Sequence, residues 1–298
     1  MRLGGSDLEV SRVGLGCNNF GRRVDRAGTR AVVDAALDAG INFLDTADIY
    51  GGLGDSERSL GEALAGRRDR VVLATKFGHD MHGRNGDAPG GSRTYIRRAI
   101  AASLERLGTD RVDLYYYHRP DGVTPLEETL TAMQELVDEG TVRWLGLSNV
   151  DAAQIGQAAA FDRVVAVQNY YSLMHRDDDA EVLPLCAELG IGYVPYFPLE
   201  SGLLTGKYRR GEPAPEGARI AAGDERLGDE TLARVAALEA FAEARGHTLL
   251  ELAIGGLASI PGIASVIAGA TSPDQARANA AAGNWHLTGP ELEELEAL

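Results

Sequence analysis

The chain has 298 residues and a formal net charge of −15, with 44 acidic against 29 basic residues. This length suits one large α/β barrel, and the acidic balance argues against a nucleic-acid-binding surface. Its two cysteines, Cys17 and Cys186, are too few for a disulfide framework or a metal cluster, which favours a protein of the reducing cytoplasm. No apolar run reaches the length of a transmembrane helix, so we expect no membrane partner.

In chain order, residues 1–12 are predicted to form a β-hairpin around a Gly-Gly-Ser-Asp turn. Apolar runs then alternate with helical patterns along the rest of the chain. Strands are predicted at 13–16, 41–45, 71–76, 112–118, 142–148, 163–169, 191–197 and 265–268. Helices are predicted at 25–39, 56–65, 92–107, 125–139, 151–160, 178–189, 229–258 (as two helices), from an N-cap at Ser272, and at 289–298.

Eight strand–helix units without a linker predict one domain over residues 1–298, an α/β fold of the (β/α)8 TIM barrel type. The N-terminal hairpin would close the bottom, with extra helices after the seventh strand and at the C-terminus. The segment 199–228 between the seventh and eighth strands is longer than an ordinary crossover and rich in glycine and proline. Loops of this length are usually functional, so we expect this one to cover the active face as a lid.

Polar side chains stand where three predicted strands end. Asp45 ends the second strand, and Tyr50 follows it in a glycine-rich loop. Lys76 ends the third strand and His118 the fourth. Because the carboxyl ends of parallel barrel strands meet at one face, we expect these four residues to form a single site.

The four side chains suit acid catalysis at a substrate oxygen. A free phenol has a pKa of about 10, too high for efficient proton transfer near neutrality. A lysine ammonium roughly 4 Å away contributes about 4 kcal/mol, enough to lower the phenol pKa by up to about three units, although burial opposes this. Asp45 would keep Lys76 charged, and His118 would donate to the substrate oxygen. Taken singly, Tyr50 also fits an ordinary surface aromatic, and the Lys–Asp pair an ordinary ion pair.

Two other kinds of site are not supported by the sequence. No strand is followed by G-x-G-x-x-G, since Gly14-Leu-Gly16 lacks the third glycine, so a Rossmann dinucleotide site is not predicted. The six histidines are scattered and none pairs with another ligand at helical spacing, so no metal site is predicted.

Over its whole length the chain resembles the aldo-keto reductase superfamily. The matching motifs are Gly40-Ile-Asn-Phe-Leu-Asp-Thr-Ala-Asp-Ile-Tyr50, Leu73-Ala-Thr-Lys76, Leu107-Gly-Thr-Asp-Arg-Val-Asp-Leu-Tyr-Tyr-Tyr-His-Arg-Pro-Asp121, Gly140-Thr-Val-Arg-Trp-Leu-Gly-Leu-Ser-Asn149, Val167-Gln-Asn-Tyr-Tyr-Ser172 and Ser265-Val-Ile-Ala-Gly-Ala270. The resemblance implies reduction of an aldehyde or ketone with NAD(P)H. It assigns Tyr50 as the acid, Lys76 and Asp45 as its tuning pair, and His118 as the residue that orients the carbonyl.

The resemblance also implies the cofactor-binding residues. Nicotinamide contacts fall on Ser148, Asn149 and Gln168, with Tyr196 stacking on the ring. Residues of the loop over the pyrophosphate are Leu199, Ser201, Leu203 and Lys207. Residues at the adenosine ribose and its 2′-phosphate are Gly269, Thr271, Gln275 and Asn279.

Cofactor choice depends on the donors available to a 2′-phosphate. No lysine or arginine stands at 269–272 or 275, which leaves two hydroxyls, the helix start at Ser272, and the cations Arg277, Lys207 or Arg209. A helix N-terminus contributes only about 0.3–1 kcal/mol toward an anion, up to about 2 when partly buried. The sequence therefore predicts NADPH favoured over NADH by about tenfold or less, with NADH usable.

The loop from Phe77 to Gly91 is polar and glycine-rich, with His79, His82 and Arg84, which suggests a sugar or a small polar carbonyl compound as substrate. Three alternatives stay open. The reaction could run in reverse as a sugar dehydrogenase, or Lys76 could act as the Schiff-base lysine of an aldolase. The third alternative is a redox-sensing binding subunit, as in channel-associated relatives of the family.

Overall fold

The computed structural model describes residues 1–79, 88–209, 212, 219–221 and 224–298. Within these ranges, eight parallel strands form one sheet in the order β7-β6-β5-β4-β3-β2-β1-β8. The strands are β1 (Val13–Gly16), β2 (Phe43–Asp45), β3 (Val72–Phe77), β4 (Val112–Tyr117), β5 (Val142–Ser148), β6 (Val164–Gln168), β7 (Gly192–Tyr193) and β8 (Val266–Gly269). Isolated parallel bridges, Tyr193 to Ile263 and Tyr196 to Ile267, join the two ends of the sheet, so it curls into the predicted barrel.

Helices alternate with the strands and follow the predicted order. They are α1 (Arg26–Asp38), α2 (Tyr50–Leu53), α3 (Asp55–Leu64), α4 (Arg93–Leu107), α5 (Leu126–Asp138), α6 (Ala152–Ala158), α7 (Val182–Glu188), α8 (Asp229–Glu243), α9 (Leu249–Glu251), α10 (Pro273–Ala282) and α11 (Gly289–Glu296). Local chemistry sets their ends: the Asp25 side chain accepts from Gly28 N at the start of α1, and Gly108 in the left-handed region ends α4. The Ser272 cap and a first-turn proline at α10 are confirmed.

The bottom of the barrel is filled by the N-terminal segment. Leu3, Leu8 and Val10 are buried with apolar residues of the barrel interior such as Phe43 and Leu114. The predicted hairpin is present but short: an antiparallel bridge joins Arg2 and Glu9, and Leu3 N donates to Leu8 O at 2.9 Å and Val10 N to Met1 O at 2.7 Å. The turn fits tightly: Gly4 has φ +53°, and an added Cβ would lie 2.4 Å from Val165 O.

Two further elements differ in extent or type from the sequence prediction, whereas the run 229–258 forms two helices as predicted. The seventh strand is only two residues long, since Pro195 has no backbone N–H to extend the ladder. Tyr50 begins the short helix α2 instead of lying in a loop, and Gly51 and Gly52 interrupt that helix with positive φ. The predicted helical run 229–258 divides into α8 and α9, and α9 continues as π-helical and 3₁₀ turns. No helix in the described ranges is long and apolar enough to cross a membrane.

Candidate active site

A cleft of about 630 Å³ opens at the carboxyl ends of the strands, within the usual size range of small-molecule sites. Most of the predicted site residues line it. They are Asp45, Tyr50, His118, Asn149, Gln168, Tyr196, Leu199, Ser201, Lys207, Gly269, Thr271, Gln275 and Asn279. Three predicted residues do not lie on the cleft wall. Lys76 is fully buried below it, Ser148 is buried beside Asn149, and Leu203 packs into the hydrophobic core.

Lys76 and Asp45 form a buried ion pair at the end of β2 and β3. Lys76 Nζ donates to Asp45 Oδ2 at 2.6 Å and to the Thr46 carbonyl oxygen at 2.8 Å. The other carboxylate oxygen, Asp45 Oδ1, accepts from Gln168 Nε2 at 3.2 Å. Since neighbouring parallel strands bring their ends together, this pair is a direct consequence of the β2–β3 register.

Tyr50 and His118 face each other above this pair. Their rings meet edge to face with centroids 5.7 Å apart, and Lys76 Nζ lies 5.1 Å from the centre of the Tyr50 ring. His79 packs edge to face on the other side of His118, at 4.4 Å. The structure therefore brings together the four residues that the sequence analysis grouped.

The pKa values of Tyr50 and His118 are shifted from those of the free side chains. Burial raises the pKa of the Tyr50 phenol well above its ordinary value, and the Asp45 charge adds to the rise. We expected Lys76 to lower this pKa with burial opposing it; the desolvation of the buried phenolate is the larger effect, and Asp45 offsets part of the Lys76 charge. Burial also lowers the pKa of His118 well below its ordinary value, and the Lys76 charge contributes. Near pH 7, Tyr50 therefore keeps its proton and His118 is neutral.

Asn149 organises the wall next to His118. Its Nδ2 donates to the His118 carbonyl oxygen at 2.8 Å and to Ser148 Oγ at 3.1 Å, while its Oδ1 accepts from Tyr196 Oη at 2.7 Å. Asn149 holds these bonds with a positive φ of 57°. A positive φ outside glycine is strained, and such strain is concentrated at functional sites. The network fixes the Tyr196 ring at the edge of the cleft.

The loop after β7 carries more of this strain. Phe197, Glu200 and Ser201 also have positive φ, and both Phe197 and Ser201 line the cleft. Tyr170 Oη donates to Glu200 Oε2 at 2.5 Å, which anchors the loop to the segment after β6. Only part of the predicted 199–228 lid can be placed, because residues 210, 211, 213–218, 222 and 223 lie outside the described ranges. The same holds for His82 and Arg84 of the loop after Lys76.

The far end of the cleft is formed by the segment after β8 and the start of α10. Thr271 donates to Gln275 Oε1 through both its backbone N and its Oγ1, at 2.8 and 2.9 Å. The cations that the sequence analysis considered there are engaged elsewhere. Arg277 pairs with Asp274 at 3.0 Å, and Arg209 pairs with Glu239.

Sequence reasoning missed several basic residues of the cleft. Arg219 lines it and donates to Asn19 Oδ1 at 2.7 Å, and Arg23 lines both the cleft and the neighbouring groove beside Thr271. Arg119 lines the cleft at the opposite end, directly after His118. Their only sequence signal was position: Arg119 follows a strand end, and Arg219 lies in the long loop after β7.

The charge of the cleft is opposite in sign to that of the chain. Its lining residues include four cations, Arg23, Arg119, Lys207 and Arg219, against one carboxylate, Asp45. Asp45 is neutralised by its ion pair, whereas none of the four cations has an ion-pair partner among the described residues. Such a cleft attracts anionic ligands. Within the described ranges of the chain, no three His, Cys, Asp or Glu side chains are placed to hold a metal.

Comparison with known proteins agrees with this architecture. Residues 12–298 match the model of the Aldo/keto reductase family. Two plant relatives are named as probable voltage-gated potassium channel β subunits. The one from Oryza sativa subsp. japonica is 38% identical over 92% of this chain and 87% of its own. The one from Arabidopsis thaliana is 37% identical over 93% of this chain and 88% of its own. An aldo-keto reductase from Bacillus halodurans, solved in its holo form, is 33% identical with a TM-score of 0.84, over 100% of this chain and 95% of that one. The chain belongs to the aldo/keto reductase family.

Proposed function

We propose that this protein reduces an aldehyde or ketone to the alcohol with NAD(P)H, and that Tyr50 donates the proton. The observation that carries the proposal is the contact between a protonated Tyr50 and a neutral His118 at the wall of a cationic cleft. A neutral imidazole N–H can hold a carbonyl oxygen without adding a competing acid. Membership of a family that uses NAD(P)H supports the same reaction.

The cleft fits a dinucleotide cofactor by its chemistry. Amide groups of Asn149 and Gln168 lie at the reaction end, where a carboxamide would need donors and acceptors. Lys207 lies along the cleft, where diphosphate oxygens would need a cation. Ser148 would act through Asn149, to which it is hydrogen-bonded, and Leu203 by shaping the loop from the core side.

In the proposed reaction, bound NAD(P)H supplies a hydride to the carbonyl carbon. His118 holds the carbonyl oxygen, and Tyr50 Oη transfers its proton to that oxygen as negative charge develops there. Lys76 and Asp45 act from below: the ammonium facing the Tyr50 ring stabilises the phenolate left behind, and Asp45 keeps that ammonium charged and in position. The products are an alcohol and the oxidised cofactor.

For the cofactor, we infer a stronger preference for NADPH than the sequence analysis expects. That expectation depended on residues 269–277, where no free cation is available. The cleft adds Arg219 from the loop after β7 and Arg23 from the segment before α1, both near the start of α10. Burial lowers the pKa of Arg219, and the charge of Arg23 adds to this lowering, which supports the closeness of the two guanidinium groups. Two adjacent guanidinium groups suit a phosphate dianion.

The mechanism is tested by replacing Tyr50 with phenylalanine. Tyr50→Phe keeps the ring and removes the proton donor, so we expect kcat to fall by a factor of about 10²–10⁴ with the cofactor Kd nearly unchanged. Tyr115→Phe is a matched control, because the Tyr115 hydroxyl is buried, lies outside the cleft lining and makes no hydrogen bond among the described residues. Turnover of Tyr50→Phe close to that of the wild type would overturn the assignment.

The alternative of a Schiff-base aldolase is less well supported. Lys76 has no exposed surface, does not line the cleft, and donates to Asp45 and to the Thr46 carbonyl. A nucleophilic lysine needs a neutral amine in contact with substrate. Borohydride treatment with a carbonyl substrate should therefore leave Lys76 unmodified, and a trapped adduct at Lys76 would favour the aldolase.

A second candidate function is a redox-sensing binding subunit, favoured by the two plant relatives named as channel β subunits. The two functions differ in turnover. A reductase releases oxidised cofactor and oxidises many equivalents of NADPH per protein, whereas a sensor completes about one turnover and keeps its cofactor. Steady-state turnover with a carbonyl panel, also assayed in the alcohol-to-carbonyl direction, separates the reductase, the reverse dehydrogenase and the sensor.

A further inference from the structure

Arg119 is a cation at the reaction end of the cleft that has no hydrogen-bond or ion-pair partner among the described residues. It directly follows His118, is exposed, and lines the same cleft as Tyr50 and His118. Among the described residues it forms no hydrogen bond and no ion pair. Arginines elsewhere on the surface are commonly paired, as Arg97 is with Glu135 and Glu139. A guanidinium facing a cleft without a protein acceptor is available to a ligand.

The position of Arg119 separates it from the cations assigned to the cofactor. It follows His118 directly and lines the same cleft as Tyr50 and Tyr196. Burial lowers the pKa of His118 and of His79, and the charge of Arg119 adds to both, which agrees with its place near the reacting groups. Arg219 instead bonds to Asn19, which donates to the Ala270 carbonyl oxygen at the opposite end of the cleft. A dinucleotide whose phosphates lie at that end would leave Arg119 for the substrate.

The surroundings of Arg119 also limit the shape of this ligand. Phe197 lines the cleft with 45% of its surface exposed and packs edge to face on Tyr196, with ring centroids 5.1 Å apart. Ile49 adds apolar surface beside Tyr50. The reaction end of the cleft thus combines two neutral groups for a carbonyl oxygen, an apolar wall and one free guanidinium.

We propose that the physiological substrate is a carbonyl compound that carries an anionic group, a carboxylate or a phosphate ester, and that Arg119 binds this anion. This inference rests on the proposed reductase function and names its substrate class. It narrows the expectation of a sugar or a small polar carbonyl to charged members of that class, since an uncharged sugar would leave the guanidinium without a charged partner. The preference arises in binding and positioning of the substrate, while proton transfer stays with Tyr50.

The test compares matched substrates on the cofactor-loaded protein. The carboxylate pair is 4-carboxybenzaldehyde against 4-nitrobenzaldehyde, and the phosphate pair is glyceraldehyde 3-phosphate against glyceraldehyde. We expect kcat/KM to favour the charged member of at least one pair, and the pair with the larger ratio identifies the anion. In Arg119→Met, kcat/KM for that charged member should fall by about tenfold or more, mainly through KM, while the neutral member is unchanged. Arg119→Lys should restore part of the loss, because it restores the charge without the bidentate geometry.

Two controls separate this inference from simpler explanations. Arg30→Met on α1, far from the cleft lining, removes the same net charge and should leave both substrate ratios unchanged. The Kd of NADPH should be the same in Arg119→Met as in the wild type, since a weakened Kd would assign Arg119 to the cofactor instead. Equal losses for charged and neutral substrates, or no preference for a charged substrate in the wild type, would overturn the proposal.

A binding measurement keeps the test independent of turnover. Calorimetry on the cofactor-loaded protein compares 4-methylbenzoate with 4-methylbenzamide, neither of which can be reduced. Tighter binding of the carboxylate that disappears in Arg119→Met supports the anion site even if no carbonyl is turned over, which would then count against the reductase function alone. Equal binding of the two probes to an active reductase would reject the anion site alone.

Discussion

Asp48 is a carboxyl group buried two residues before Tyr50 and not used in the proposed mechanism. Its side chain is 2% exposed, and its Oδ1 has no hydrogen-bond partner among the described residues. Burial raises the pKa of Asp48 to about 8, with a further contribution from the charge of Glu57, while Arg106 and a 3.4 Å contact with Tyr95 Oη oppose the rise. Asp48 is therefore mostly protonated in the folded protein at neutral pH.

The raised pKa of Asp48 predicts a stability that depends on pH. Between its ordinary pKa of 3.8 and about 8, the unfolded chain ionises Asp48 while the folded protein keeps the proton, so the group lowers the free energy of unfolding as pH rises. Above about pH 8 both states are ionised and the loss is complete. We expect Asp48→Asn to remove this loss, so that its Tm exceeds that of the wild type by a margin that grows from pH 5 to about pH 8 and then stays level.

The control for this measurement is Asp38→Asn, because Asp38 is exposed at the end of α1. The difference in Tm between Asp38→Asn and the wild type should not change across the same pH range. A flat margin for Asp48→Asn as well would mean that Asp48 is ionised in the folded protein. Subtracting the wild-type curve at each pH removes the contribution of every other titrating group.

Site residues could be predicted from the sequence where a polar side chain stands at the end of a predicted strand. Asp45, Lys76 and His118 close predicted strands, and parallel strands bring such ends together whatever the intervening helices are. Arg23 and Arg219 could not be predicted from the sequence, because each lies in a loop and their proximity depends on how two segments about two thirds of the chain apart meet above the barrel. The Glu239 partner of Arg209 was hidden for the same reason, whereas Arg277 pairs with Asp274 three residues earlier on α10, a spacing that the sequence does show.

At the scale of the elements, a buried ion pair joins α3 to α4, and a hydrogen bond joins the same carboxylate to strand β3 of the barrel. Arg106 Nε on α4 donates to Glu57 Oε2 on α3 at 2.6 Å, and Thr75 Oγ1 on β3 donates to Glu57 Oε1 at 2.6 Å. Glu57 is fully buried and the Arg106 side chain is 12% exposed. Removing one partner of such a pair leaves an uncompensated charge in the interior.

We expect Arg106→Met to lower the free energy of unfolding by about 3–5 kcal/mol, because Glu57 would stay buried with only Thr75 to bind it. The matched control is Arg26→Met, which breaks an ion pair between α1 and Glu62 on α3 whose side chains are 64% and 52% exposed. Exposed pairs contribute at most about 1 kcal/mol, so this change should be small. Chemical denaturation of both variants measures the difference, and equal losses would show that burial of the Glu57 pair adds nothing.

Element boundaries were predictable where the period of the apolar pattern was unambiguous. The strands β1, β3, β4 and β5 lie within one residue of prediction at each end. The seventh strand failed because Pro195 removes a ladder donor within an otherwise strand-like run. The predicted N-terminal hairpin is present but short, and the burial of Leu3 and Leu8 under the barrel holds it in place.

At the scale of the whole molecule, charge is distributed unevenly. The chain carries a formal net charge of −15, yet the cleft is lined by four cations without ion-pair partners among the described residues. The surface charge repels anions at long range, whereas the cleft attracts them at short range. A polyanionic cofactor is therefore bound mainly through these local cations. We expect removal of one of them to weaken cofactor binding by more than its share of the net charge.

This arrangement leads to a prediction about cofactor choice. A hydrogen bond to a charged group contributes roughly 1.5–3 kcal/mol, and Arg23 and Arg219 together offer a 2′-phosphate two such partners. At about 1.4 kcal/mol per tenfold, we expect NADPH to bind about a hundredfold or more tighter than NADH. Arg219→Gln should bring the ratio toward tenfold by weakening NADPH and leaving NADH nearly unchanged. Fluorescence titration gives Kd for both cofactors.

Arg209→Gln is the matched control for this titration, because Arg209 lies in the same loop but pairs with Glu239 and does not line the cleft. Its NADPH to NADH ratio should equal that of the wild type. Salt provides an independent readout: the screening length falls from about 30 Å at 0.01 M to about 3 Å at 1 M, so NADPH should lose more affinity than NADH over this range. In Arg219→Gln the two cofactors should respond to salt more alike. A wild-type ratio of tenfold or less that salt does not change would mean that the two guanidinium groups do not bind the 2′-phosphate, and the weak preference expected from residues 269–277 would stand.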